Sequence, residues 1–560
     1  MFNHLEGRAG HYGLLVLIAA GLFLTNLGGA TLWDLDEGRN ATAALEMRES
    51  GNWIVPTFNA QLRVDKPALL YWLQLLAYEC CGINEFAARL PSALAALFTV
   101  LVCYELGRRL FASSTGLLAG LIVASTPMLA GAARFANPDA LLNLCTALTF
   151  LFFWAGYVQG RLWFTWTGLA MGLAVLAKGP VGLALPTLTM LVFLYWNGRL
   201  HMLWHWKRMG QGILVFGLVT LPWYLWVAAE TKGDFFRGFF LQHNVNRFLS
   251  PMESHTGAPG YYLAVLLIGL APWSIFLGLA AWCAWWSLWR RPGPRWYSWW
   301  QGATDEEGSL VAYRLLGCWI TLYLVFYALA ATKLPNYILP VVSPCGLLIG
   351  RFLDRWRLGA LQAPGWIMHL CLVILVLVGV GTAAGMIVAS GVWPLPWLRG
   401  RIFPGMEVWA GAGAVPVLGA VLAWLLGRQR RTVWVASITL AAILFIGPLA
   451  AWASAAFNRF KAPRPLIEIA GALQRRQDIA IGCWQLEHLP SVNFYCQRDV
   501  THFDKDEEIL AFLRYPIQVF LFLPAAEWER LRPQVPGNVR ELGRHHDFYR
   551  GHTVAVVSNR

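Results

Sequence analysis

Apolar runs of the roughly 17–25 residues needed to cross a bilayer recur along the chain, broken by short polar connections. The first extends from about Tyr12 to Leu32. Others lie near 86–107, 115–133, 138–158, 162–177, 180–197, 210–229, 261–289, 311–331, 335–350, 366–390, 408–427 and 432–452. By length, this pattern predicts about thirteen transmembrane helices. Between the first two runs the pattern changes. In Glu37–Ser50, Ala44, Leu45 and Met47 alternate with Arg39, Glu46 and Arg48, which predicts a helix lying at the membrane interface. A second short helix is expected after Pro67, because proline in a first helical turn sacrifices no hydrogen bond.

Beyond about residue 458 the chain becomes polar, with short β-rich runs at Ile479–Cys483, Ile517–Leu523 and Thr553–Ser558. Pro463–Arg475 has the pattern of an amphipathic helix. The division expected is a membrane domain over 1–453, with polar loops at 33–85 and 230–260, and a small α/β domain over 454–560. No internal repeat or low-complexity segment is evident.

Composition agrees: 57% of residues are hydrophobic and 13% charged, against roughly a quarter charged in soluble domains. This is a polytopic membrane protein, and its 30 tryptophans suit interfacial belts. The net charge of +13 resides mostly in short loops. Arg108-Arg109, Arg161, Lys207-Arg208, Arg290-Arg291, Arg351-Arg355-Arg357 and Arg428-Arg430-Arg431 fall on one side when the spans alternate, which marks that side as cytoplasmic. Asp36, Asp139, Lys178, the 230–260 loop, Lys333 and the C-terminal domain then share the opposite face. No basic run carries interleaved aromatics in a polar domain, so nucleic acid is not an expected partner. Trp296–Ser309 is a polar cytoplasmic loop with an acidic patch at Asp305-Glu306-Glu307. Of ten cysteines, Cys145, Cys318 and Cys371 lie in apolar runs as small core residues. Cys483 and Cys496 are placed to pair if the C-terminal domain is extracytoplasmic. Walker, dinucleotide-binding, zinc-protease and serine-hydrolase signatures are missing.

The candidate chemistry gathers at the outer ends of spans. Asp36-Glu37-Gly38-Arg39 sets two carboxylates and an arginine at the mouth of the first span, where charges are costly without a role. Helix capping is the competing reading. Successive residues point in different directions, so Asp36 and Glu37 cannot share one role. Asp65-Lys66-Pro67 holds a lysine in extended backbone. Asp139, after Asn137-Pro138, is equally a third carboxylate or a helix cap. Lys178-Gly179-Pro180 and Lys333-Leu334-Pro335 each put a lysine on the side opposite to the positive-inside bias. With Lys66 they suggest a cationic pocket for an anion, to which Tyr337 can add a hydroxyl. In the 230–260 loop, His243, Asn244 and Arg247 sit at helical spacing. Asp65 and His255 are the pair considered for zinc, structural at most, since a zinc site wants three or four ligands.

The ordered set of Asp36-Glu37-x-Arg39, Gly51-Asn52-Trp53-Ile54-Val55-Pro56, Asp65-Lys66-Pro67, Pro138-Asp139, Lys178-Gly179, the Phe-Phe…His…Arg-Phe loop at 235–248 and Lys333–Leu339 resembles the bacterial 4-amino-4-deoxy-L-arabinose lipid A transferases. These belong to the GT-C superfamily and are related to protein O-mannosyltransferases. The matches cover about 36–340. The resemblance implies a multi-pass protein of the bacterial inner membrane, with its active site and C-terminal domain facing the periplasm. It implies metal-independent, inverting transfer of the aminosugar from undecaprenyl phosphate to a lipid A phosphate, with no cofactor required. Asp36 and Asp139 are the carboxylates it brings to the reaction centre. Glu37, Arg39, Lys66, Lys178, His243, Arg247, Lys333 and Tyr337 are the expected substrate contacts. One departure is Asp65, where the family often has glutamate. Transfer of another sugar to lipopolysaccharide core or protein is the alternative. A transporter or flippase would place ionisable groups mid-span, whereas here they cluster at span ends.

Overall fold

The computed structural model describes residues 7–160, 162–204, 206–250, 257–258, 260–289, 307–393, 402–427, 430–471 and 478–560. Arg161, His255, Arg290-Arg291, Asp305-Glu306 and Arg428 lie outside them. Each predicted apolar run is helical over most of its length, although the first ends at Leu24 and not at Leu32. The first nine helices of the chain are α1 (Arg8–Leu24), α2 (Asp36–Ser50), α3 (Leu69–Cys81), α4 (Glu85–Leu110), α5 (Ser113–Ala124), α6 (Pro127–Ala133), α7 (Asp139–Gln159), α8 (Leu162–Lys178) and α9 (Val181–Trp196).

Among the described residues, 8 helices are long and apolar enough to cross a membrane, or up to 10 if each of two bent pairs is one span. The expected thirteen crossings are therefore not all met by single uninterrupted helices. The run 115–133 is α5 and α6, bent by 65°. Thr126 breaks it: the residue is extended, and its hydroxyl accepts from Leu129 N to start α6 afresh. The run 261–289 bends by 113° between Tyr261–Gly269 and Trp273–Leu288. The shorter α1, α8 and α9 have 17, 17 and 16 residues.

Basic side chains meet at one end of the bundle. Arg109 lies 5.0 Å from the Trp163 ring, Arg351 lies 5.0 Å from the Phe111 ring, and Arg431 Nη1 donates to Trp356 O at 2.9 Å. The acidic groups here have local partners: Glu105 binds Arg108 and Arg109, and Asp354 binds Ser114, Thr115 and Arg357. The candidate chemistry sits at the other end, as the alternation of spans required.

The C-terminal domain has a five-stranded sheet built from β3 (Ile479–Trp484), β4 (Thr501–Phe503), β5 (Gln518–Pro524), β6 (Arg540–Asp547) and β7 (His552–Ser558), in the order β4-β3-β5-β7-β6. A two-residue hairpin pair in the first loop, β1 (Thr57–Phe58) and β2 (Gln61–Leu62), precedes them in the chain. Strand β3 is parallel to β4 and β5, while β7 is antiparallel to β5 and β6. The helix expected over Pro463–Arg475 is short, Pro463–Ile469, and stops before Gly471 at φ +89°. Cys483 and Cys496 are both buried and free, so the pairing considered above is not formed.

This domain rests on the first loop. Thr31 N donates to Asn458 at 2.8 Å, Leu32 N to Tyr495 at 2.8 Å and Asp34 N to Tyr549 at 2.7 Å. Ser491 N donates to Asp34 Oδ1 at 2.7 Å. Helix α2 is consequently buried on most of its faces, against α3 and the Ser491–Cys496 helix. The expectation that it lies on the interface as an amphipathic helix is corrected: its small residues, Gly38, Ala41, Ala43 and Ala44, let protein rather than lipid cover it. Gly38 is required for that approach, because a Cβ there would stand 2.6 Å from Ser491 N.

Burial pushes the Asp34 carboxyl up to about 7, against the Ser491 hydrogen bond and the Lys461 charge. The folded protein thus keeps a proton that the unfolded chain, at its ordinary 3.8, has released. Stability contributed by this group is full at acidic pH and is lost as pH rises from about 4 to about 7. Asp34→Asn, which keeps an acceptor for Ser491, should remove that loss. Thermal unfolding of both proteins across this range is the check, and parallel profiles would refute it.

Candidate functional site

The site is assembled from chain ends that the bundle brings to one level. Helix α2 begins directly after Leu35, whose φ of 73° turns the chain sharply. That turn sends Glu37 inward. Its carboxylate is fully buried and holds the Arg89 guanidinium from α4 through two contacts, at 2.8 and 2.7 Å. Arg89 also donates to the carbonyls of Leu27, Ala30 and Thr31 at 3.1, 2.6 and 3.0 Å. Glu37 accepts in addition from Trp33 N at 2.7 Å and Ala136 N at 2.6 Å. With these partners Glu37 ties the first loop, α4 and the 134–138 turn together. It is a buried anchor, which corrects its expected part as a substrate contact.

Asp36 takes the opposite direction and is only half-buried. Asn137 Nδ2 donates to its Oδ2 at 3.3 Å. Neither acid caps α2 through a side-chain hydrogen bond at the N-cap position. Arg39 is half-buried one turn on.

The segment after β2, which bends at Asp65-Lys66, carries Arg63, Asp65 and Lys66 beside Asp36. Arg63 is buried and bridges three groups: Tyr71 Oη at 2.9 Å, Asn40 Oδ1 at 3.0 Å and Asp65 at 3.2 Å. Asp65 also meets His243 Nε2 at 2.9 Å. Burial alone would push the Asp65 carboxyl up. The His243 hydrogen bond and the charges of Arg63, His243 and Lys66 instead hold it below the usual carboxylate range. Burial lowers the Lys66 ammonium from its ordinary value; Asp36 opposes this, and the nearby cations Lys178 and Arg247 reinforce it. Asp36, Asp139, Lys178 and Arg247 are thus all near enough to act on the Lys66 ammonium.

Asp139, at the first turn of α7, is buried. It pairs with Lys178 at the end of α8 and accepts from Asn336 Nδ2. Both of its oxygens are thus engaged, and it holds Lys178 and the 335–341 segment in register. Asp139 thereby positions both elements at the level of Asp36 and Lys66. Lys178 Nζ lies 4.8 Å from the centre of the Tyr337 ring. Lys333 departs from expectation: its ammonium donates to Ala328 O at 3.0 Å and Ala330 O at 2.9 Å. There it closes the C-terminal end of the Glu307–Leu329 helix, where a cation is favoured.

Lys66, Lys178, His243, Arg247 and Tyr337 open onto one cavity of about 420 Å³. Its other walls are largely apolar, among them Val181, Phe240, Phe248, Leu249 and Phe326. His243 and Arg247 reach it from a helical stretch over 234–249 that contains a π-helical segment at Arg237–Asn246, so the helical spacing seen in the sequence is realised. Two other large chambers are unlike it. One of about 300 Å³ is lined by apolar groups such as Phe153, Met171 and Leu194. One of about 450 Å³ borders Arg89 and Arg134. Arg89 is committed to Glu37, and Arg134 donates to the carbonyls of Phe23 at 3.2 Å and Asn26 at 2.7 Å.

Zinc at Asp65 and His255 finds little support in the donors described. His255 lies outside the described residues, and the Arg63 guanidinium at 3.2 Å occupies the Asp65 carboxylate that a cation would need. Sequence reasoning missed Arg63, Asn40, Asn137 and Asn336. Arg63 is close in sequence to Asp65, but the bend at Asp65-Lys66 that brings them together is not spelled by a pattern.

Known proteins can be set beside this geometry. A family model described as dolichyl-phosphate-mannose-protein mannosyltransferase matches residues 65–226. Over 379 residues the chain is 34% identical to the undecaprenyl phosphate-alpha-4-amino-4-deoxy-L-arabinose arabinosyl transferase of Pseudomonas aeruginosa, a match covering 65% of this chain and 64% of that one. It thus spans a little under two thirds of that relative's length. A protein of the same name from Edwardsiella ictaluri is 28% identical over 537 residues, covering 91% of this chain and 88% of the relative. The crystal structure of ArnT from Cupriavidus metallidurans bound to undecaprenyl phosphate has the same fold, with a TM-score of 0.81 at 23% identity over 99% of each chain. The resemblance carried by the ordered motifs is borne out by these relatives.

Proposed function

We propose that this chain is an inverting glycosyltransferase that moves 4-amino-4-deoxy-L-arabinose from undecaprenyl phosphate to a phosphate of lipid A. The observation that carries this reading is the meeting of Lys66, Lys178 and Arg247 on one cavity whose remaining walls are largely apolar. Such a chamber suits an amphiphile with an anionic head and a hydrocarbon tail. The relatives' names supply the sugar and the polyprenyl carrier. On this reading the protein lies in the bacterial inner membrane, with the cavity and the C-terminal domain on the periplasmic side.

In the reaction, an oxygen of the acceptor phosphate bonds to the anomeric carbon from the face opposite the leaving group. The bond between that carbon and the carrier phosphate breaks, its electron pair stays on the phosphate, and the configuration inverts. Charge grows on the leaving phosphate as this happens. Fixed cations stabilise it strongly in a cavity that excludes water. Arg247 can grip two oxygens at once, while Lys66 and Lys178 act as point charges. An acceptor phosphate is already anionic and needs little deprotonation. Asp36 therefore orients the acceptor or holds the sugar's amine. None of these steps calls on a cofactor.

Lys66→Ala should lower kcat/KM for the donor about 10- to 100-fold, the equivalent of roughly 1.5–3 kcal/mol for a hydrogen bond to a charged group. Normal expression is expected, because Lys66 is not part of the Glu37–Arg89 anchor. Purified protein, supplied with the undecaprenyl-phosphate aminosugar and lipid A, tests the whole reading by mass spectrometry. A pentosamine increment on lipid A supports it. Transfer of a different sugar to lipopolysaccharide core or protein would establish the alternative.

A further inference from the structure

We propose that His488, Asp547 and His552, in the C-terminal domain, form a binding site for one divalent transition-metal ion of the zinc class. Their offered ligand atoms all lie within 4.8 Å of one another. His488 Nε2 is 3.0 Å from Asp547 Oδ2, and the His488 and His552 ring centres are 5.7 Å apart. The fold makes this grouping. Asp547 ends β6, His552 begins β7, and the two are cross-strand partners astride the hairpin turn. His488 comes from the segment that follows β3, facing that turn.

Three buried polar atoms in this cluster have no hydrogen-bond partner among the described residues: His488 Nδ1, Asp547 Oδ1 and His552 Nε2. Asp547 is fully buried, and His488 is 8% exposed. Unpartnered polar atoms so far from water are costly. The His–Asp hydrogen bond leaves all three without a partner, and an ion shared by the cluster would supply one to Asp547 and His552. Two imidazoles and a carboxylate are zinc-type donors; magnesium and calcium prefer all-oxygen sets.

The site has a consequence for the first loop. The turn between β6 and β7 carries Phe548, whose N donates to Phe460 O at 3.0 Å, and Tyr549, which accepts from Asp34 N. The His488 segment leads to Ser491, which holds the Asp34 carboxylate. An ion joining the two would fix both grips on the loop that presents Asp36. It is a different site from Asp65 and His243, which supply only two donors.

The test uses the purified full-length chain in detergent, stripped with a chelator and then equilibrated with Zn2+. Metal per chain is measured by elemental mass spectrometry, and thermal stability is followed in parallel. The wild type should hold one ion per chain more than His552→Gln or Asp547→Asn. A Zn2+-induced rise in Tm should be present in the wild type and lost in both variants, while Asp65→Asn keeps it. If Asp547→Asn does not fold, His552→Gln, at the half-exposed edge, and the Co2+ absorption spectrum of the unaltered protein still decide. A tetrahedral Co2+ spectrum supports the site. No uptake by the wild type, or equal uptake by folded His552→Gln, would overturn it.

Discussion

Asp36→Asn is expected to leave a folded, membrane-inserted protein with sugar transfer reduced by about 100-fold, the loss that misplacing a reacting group can cost. The substitution keeps the shape of the side chain and removes its charge. Asp36 sits where Asn137 fixes one of its oxygens and where it acts on the ammonium of Lys66. An asparagine can still bond to Asn137. It cannot attract an aminosugar or orient an acceptor through a negative charge. Because Asp36 is half-buried and stands outside the Glu37–Arg89 anchor, its neutralisation should cost little stability. Transfer by purified protein, with Tm measured on the same sample, separates the two effects. Undiminished transfer would remove Asp36 from the mechanism.

Arg89→Met should have the largest effect on stability, a loss of about 3–5 kcal/mol, as is common when one partner of a buried ion pair is removed. Methionine roughly fills the volume but supplies no donor. Glu37 would keep its two backbone donors, from Trp33 and Ala136, yet lose its only ion-pair partner among the described residues. The carbonyls of Leu27, Ala30 and Thr31 would lose a donor at the same time. Since this knot ties the first loop to α4, transfer should fall with stability, unlike the outcome at Asp36. Thermal unfolding in detergent measures it. A Tm equal to wild type would show that the anchor is dispensable.

The comparison of Asp36 with Glu37 shows where sequence reasoning stops. Their adjacency guaranteed different directions, but not which acid turned inward. That depended on Arg89, some fifty residues away. The helices were legible because bilayer thickness imposes a length on apolar runs. The breaks at Thr126 and between Gly269 and Trp273 left a signal that a length criterion passes over, since Ser125-Thr126-Pro127 and Ala271-Pro272 each set a proline inside an apolar run. Strands β3, β5 and β7 were legible as apolar runs, whereas β4 and β6 are short or polar edges whose pairing only the fold supplies. In the site, Lys66 was found because it precedes a proline, Arg247 because it shares helical spacing with His243, and Lys178 because a cation outside the positive-inside pattern calls for an explanation. The same argument misplaced Lys333, whose ammonium serves the end of the preceding helix. Asn336 and Asn40 left no trace, since an isolated amide has no sequence pattern.

The cavity claim is tested most directly by a cryo-EM structure of the chain with undecaprenyl phosphate. The account predicts phosphate density within hydrogen-bond reach of Lys66 and Arg247, with the polyprenyl chain running along Phe240, Phe248 and Phe326. Phosphate density in the chamber beside Arg134, with the Lys66 cavity vacant, would contradict it.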